Sequence, residues 1–128
     1  MTEYLLGVAE GDFTLDYDAI AARAKERWRD AVFVPSSGQD SEFSYGQLQL
    51  GGAAAPESLR VDANFLPLGA GIQIEGSDVD RAAELIALVT DLPDFPDDNS
   101  VVLMNWSVDF LHLRPSMTPD EILAAYRG

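Results

Sequence analysis

His112 is the only side chain in the 128 residues whose ordinary titration falls near neutral pH, so acid–base chemistry is sought there first. Asp109 stands three positions before it and Ser107 five. On a regular strand an odd separation places two side chains on opposite faces, so an Asp–His pair requires a bulge. A partly buried or rim histidine is the plainer expectation. Asp91, Asp94, Asp97 and Asp98 form the densest acid cluster, and hard divalent cations want several oxygens. The spacing matches no EF-hand loop and lacks the central glycine, so a solvated or protein-contact loop is expected and no metal site. Glycosidase-type carboxylate pairs are too easily drawn from so acidic a chain to single one out.

Composition removes several classes outright. No cysteine means no disulfide, no thiolate nucleophile and no zinc–thiolate site. One histidine excludes a multi-histidine metal centre. The single lysine, Lys25, follows no Gly-x-x-x-x-Gly, which excludes a P-loop. Gly69-Ala70-Gly71 falls in a turn between strands and precedes no helix, unlike a dinucleotide fingerprint. No cofactor is expected.

Charge carries more information. Asp plus Glu number 22 against 8 Lys plus Arg, a net −14, which disfavours nucleic acid and anionic membrane as ligands. Residues 75 to 98 hold eight acids and one base, Arg81, and so carry −7. Residues 23 to 29 hold four of the eight bases, so the molecule is expected to be dipolar. The candidate contact residues for a basic protein partner are Asp78, Asp80, Glu84, Asp91, Asp94, Asp97 and Asp98. Complementary charge would speed encounter and enforce partner choice.

Hydropathy patterning supplies the elements that position these groups. Tyr4 to Ala9 reads as a strand. Asp16 caps a helix running to about Trp28, with Tyr17, Ile20, Ala21 and Ala24 on its apolar side. Ala31 to Val34 and Phe43 to Leu50 read as strands. Leu59 to Phe65 and Ile72 to Glu75 alternate around Pro67–Gly71 and predict a hairpin with one face wet or covered by a partner. Ser77 is the expected cap of a second helix ending near Leu92. Val101 to Leu113 reads as one long strand, bent near Asn105, with Trp106, Val108 and Phe110 on one face. Thr118-Pro-Asp-Glu121 starts a short terminal helix. The order is β-α-β-β-β-β-α-β-α. It predicts a single α+β domain, residues 1–128, with one antiparallel-rich sheet of about five to six strands and helices mainly on one face.

In size, acidity, absence of cysteine and element order the chain resembles the small immunity proteins of bacterial toxin–immunity pairs. The resemblance implies a non-enzymatic inhibitor that neutralises a basic cognate toxin. It carries no motif and hence no binding residue. A structural or assembly subunit of a phage or secretion system is the alternative reading. A small enzyme or ligand binder using His112 or a carboxylate is a further one. Seven Arg against one Lys, with many Ala, suggests a GC-rich bacterial genome. The absence of a basic n-region and of any apolar run of about 20 residues predicts a cytoplasmic protein without a membrane span.

Overall fold

Strict alternation organises the sheet. In β3 (Gly46–Leu50) and β4 (Val61–Phe65) every second residue is buried, and the residues between stay half-exposed. The computed structural model describes residues 2–9, 11, 13–36, 44–51, 60–76, 78–105 and 110–127, with side chains undescribed at Thr2, Asn105, Phe110 and 125–127. Among them β1 (Thr2–Val8), β2 (Val32–Pro35), β5 (Gly71–Gly76), β6 (Val101–Asn105) and β7 (Phe110–His112) complete one sheet. Its seven strands run in the order β2-β3-β4-β5-β1-β6-β7, and every pairing is antiparallel.

That order places the helices. β1 and β2 run the same way, as do β5 and β6, and two parallel strands cannot be joined by a tight turn. Each pair is linked by a crossover: α1 (Tyr17–Arg27) and α2 (Val79–Thr90). One crossover leaves an upward strand leftward, and the other leaves a downward strand rightward. Right-handed connections therefore put both helices on the same face. Leu6, Leu48, Phe65, Ile72, Ile74 and Leu103 from that face share one core with Ile20 of α1, Ile86 of α2 and Ile122 of α3 (Pro119–Arg127).

The expected α+β class and element order hold, with one difference in strand count. The apolar run 101–113 is a hairpin rather than one bent strand: Leu103 pairs with Leu111 and Val102 with His112. The proposed shared face of Trp106, Val108 and Phe110 falls outside the described residues and side chains. No helix among the described residues is long and apolar enough to cross a membrane.

Local chemistry sets the helix starts. The Asp16 carboxylate accepts from the Ala19 N–H at 3.1 Å, as its spacing predicted. α2 is capped by Asp78, which accepts from the Arg81 N–H at 3.1 Å, rather than by Ser77. Either side chain can cap, and the helix begins one residue later than the Ser77 reading requires. At α3, Thr118 and Glu121 exchange backbone-to-side-chain bonds of 3.2 Å in both directions, a closed capping box. Thr118→Ala is expected to cost about 1 kcal/mol, measured by urea denaturation. No change in midpoint would show that α3 contributes nothing to cooperative unfolding.

Candidate functional site

The acids predicted as contact residues are largely engaged within the chain. Arg27 pairs with Glu84 at 3.5 Å and Arg23 with Asp91 at 3.6 Å. The two rungs tie the basic side of α1 to an acidic stripe on antiparallel α2. Asp78 is spent on its cap and lies 4.0 Å from Arg81. The Asp98 carboxylate accepts from the Ser100 N–H at 3.0 Å, which shapes its own loop. Asp80, Asp94 and Asp97 are exposed. The seven acids thus lie along one helix and its trailing loop. Between α1, α2 and the approach to α3 runs an open groove of about 780 Å³, with Leu88 and Met117 among its walls and both Arg–acid rungs at its rim.

His112 is exposed on the edge strand β7, opposite Val102. Asp109 lies outside the described residues. Among the described residues no group of three or more His, Cys, Asp or Glu is arranged to hold a metal ion.

Among the described residues no helix lies on the other face of the sheet. Register puts Val32, Gln49, Asp62, Glu75 and Glu3 in one row across five strands, and Val34, Gln47, Asn64, Gln73, Leu5 and Met104 in the next. All are half-exposed or exposed. Asp62 lies directly opposite Glu75, and Glu75 directly opposite Glu3. Directly opposed like charges destabilise a sheet, and Asp, Asn and to a lesser degree Glu are disfavoured in strands. Arg60, just before β4, is the nearest cation in sequence to this row, and no ion pair joins it to these acids among the described residues. Sequence reasoning found the polar alternation of these strands but not the row, because Glu3 meets Glu75 only through the pairing of β1 with β5.

A second concavity, about 320 Å³, lies where α1 begins beside the β4–β5 connection. Thr14, Asp16, Asp18, Tyr45, Leu68 and Gly69 are among its walls. Tyr17 fixes this corner. Its buried hydroxyl lies 2.6 Å from the Leu66 carbonyl and 2.7 Å from that of Gly71, and accepts from the Gly71 N–H at 3.1 Å. Its ring stacks on Phe65 at 4.6 Å and tilts against Tyr45 at 5.3 Å. Gly69 (φ +67°) lets the turn press against α1's lead-in, since a Cβ there would stand 2.8 Å from Thr14 Cβ. The Leu15 N–H donates to the Gly69 carbonyl at 3.0 Å.

Tyr45 donates its hydroxyl to an Asp18 carboxylate oxygen at 2.8 Å. That bond, slight desolvation and the negative charges of Asp18 and Asp16 raise the Tyr45 pKa above its ordinary 10.0. Burial raises that of Tyr17, offset in part by its bond with Gly71. A raised folded-state pKa stabilises below the unfolded value, and that stability is lost as pH climbs through the folded value. The fold should therefore weaken only in the alkaline range above about 10 on account of these two groups. Asp18→Asn should lower the Tyr45 phenolate midpoint, followed by ultraviolet absorbance and assigned by its absence in Tyr45→Phe. An unmoved midpoint would contradict the Asp18 bond.

No family model, curated protein or solved structure matches the chain.

Proposed function

We propose that the chain is a non-enzymatic protein-binding domain that engages a basic protein. Its role would be that of an immunity or inhibitor protein acting on a cognate toxin in a bacterial cytoplasm. One observation carries the reading: the row Asp62–Glu75–Glu3 on the sheet face away from the helices. A face shaped by stability alone would pair opposite charges across strands. This one places three carboxylates side by side on a chain of net −14. A basic partner relieves that repulsion on binding, which turns a local fault of the fold into affinity and encounter rate.

The test uses tagged wild-type protein and a Glu3→Gln/Asp62→Asn/Glu75→Gln variant in lysate of the native host, washed at low and then high salt. A basic protein retained in near-equal amount by the wild type, released by salt and lost from the variant supports the reading. The candidate's own activity is then assayed with and without the domain, and inhibition is expected. Equal retention by the variant, or recovery of the bait alone, overturns it.

The assembly reading has one observation in its favour. Among the described residues β2 is an edge strand of the sheet, the position at which another strand could pair, and its Val32 and Val34 are 48% and 45% exposed on the adjoining face. It expects a sedimentation coefficient that rises with concentration and returns to the monomer value in Val34→Lys.

A further inference from the structure

We propose that the notch between the start of α1 and the β4–β5 turn anchors an arginine side chain of the basic partner. The proposal rests on that partner being basic, but concerns a different surface from the carboxylate row. Three features converge on it. The Tyr45 ring, 44% exposed, offers an aromatic surface backed by Tyr17 and by Phe33 at 6.0 Å. Asp16, one oxygen of which caps α1, and Asp18 supply two carboxylates, and among the described residues no lysine or arginine lines the notch. Leu68 stands at its rim 91% exposed, in the left-handed region at φ 64°.

Leu68 adds an apolar surface to the same concavity as the Tyr45 ring and the two carboxylates. A leucine gains nothing from exposure, and a branched side chain in left-handed backbone costs about 1 kcal/mol where Gly or Asn would cost little. Among the described residues Leu68 is the most exposed large apolar side chain, and it lines the same concavity as Tyr45.

The chemistry selects the guanidinium. It is planar and weakly hydrated, so it can lie on the Tyr45 ring while its N–H fork reaches a carboxylate. One Asp18 oxygen already accepts from Tyr45, which fixes the carboxylate and leaves its second oxygen for the ligand. Leu68 then packs on the aliphatic stem. A neutral apolar segment would desolvate two carboxylates with no compensation. An ammonium has no plane to stack and pays more to shed water.

The probe is N-acetyl-arginine amide, titrated at constant ionic strength into isotope-labelled full-length protein and read by amide chemical shifts. Saturable shifts confined to residues 14–18, 45 and 68–69 are expected, with N-acetyl-lysine amide weaker. Tyr45→Ala and Asp18→Asn should each weaken binding three- to tenfold. Leu68→Asn should weaken it too while raising the melting temperature, so lost folding cannot account for lost binding. Shifts that never saturate, that spread across all acidic surfaces, or that survive Tyr45→Ala in folded protein overturn the proposal. If the notch binds arginine and no basic partner is found, only the functional reading fails. If a basic partner binds unchanged to the Tyr45→Ala and Asp18→Asn variants, only the notch fails.

Discussion

Phe65→Ala should remove about 3–5 kcal/mol of stability, the range for deleting a fully buried aromatic ring that its surroundings cannot refill. Phe65 is 0% exposed and sits between two rings, Tyr17 at 4.6 Å and Phe33 at 5.7 Å. Neither neighbour is free to collapse into the space. The Tyr17 hydroxyl is bonded to Leu66 and Gly71, and the Phe33 ring lies so close over Gly46 that a Cβ there would stand 2.5 Å from it. Phe65 also holds the notch, because its carbonyl accepts from the Tyr45 N–H at 2.7 Å. Since a domain of this size is stable by only about 5–15 kcal/mol, the loss is a large share of the total. In urea the midpoint should fall with little change in slope. A loss under about 1.5 kcal/mol would mean that the rings repack and that the cluster is not a rigid support.

The elements that were legible in the sequence are those fixed by neighbours in the chain. The Asp16 cap, the Thr118–Glu121 box and the alternation on either side of Pro67–Gly69 all lie within a few residues of their partners. What required distant partners was hidden. The 101–113 run carries no Gly or Pro between β6 and β7, and its turn-forming Asn105, Ser107 and Asp109 alternate with apolar residues, so it reads as one bent strand. The bases of α1 and acids of α2 were both visible, and their cancellation was not. Arg23 and Asp91 are 68 positions apart and meet only because both helices cross the same sheet face. Within the acid-rich segment 75–98, Glu84 and Asp91 pair with Arg27 and Arg23, which the sequence does not reveal. The notch is less legible still, since it joins residues from α1, the lead-in to β3 and the β4–β5 turn.

Glu75→Lys should move stability and binding in opposite directions. Glu75 stands between Asp62 on β4 and Glu3 on β1, so the change converts two opposed like-charge pairs into two opposite-charge pairs. At about 0.2–1 kcal/mol per pair the fold should gain roughly 0.5–2 kcal/mol, toward the lower end in salt because the site is solvated. If the row serves a basic partner, the same change places a cation at the centre of the contact. Association at low salt should slow by tenfold or more, and its dependence on salt should flatten. A residue kept only for solubility would show the first effect without the second. The comparison that separates surfaces is Asp94→Lys/Asp97→Lys, which makes the same kind of change on the exposed loop before β6. Slowed association in the loop variant, with Glu75→Lys indistinguishable from wild type, would move the contact from the sheet to the loop. Slowing in both, to a degree set only by net charge, would mean that the field of the whole molecule acts and that no single face does.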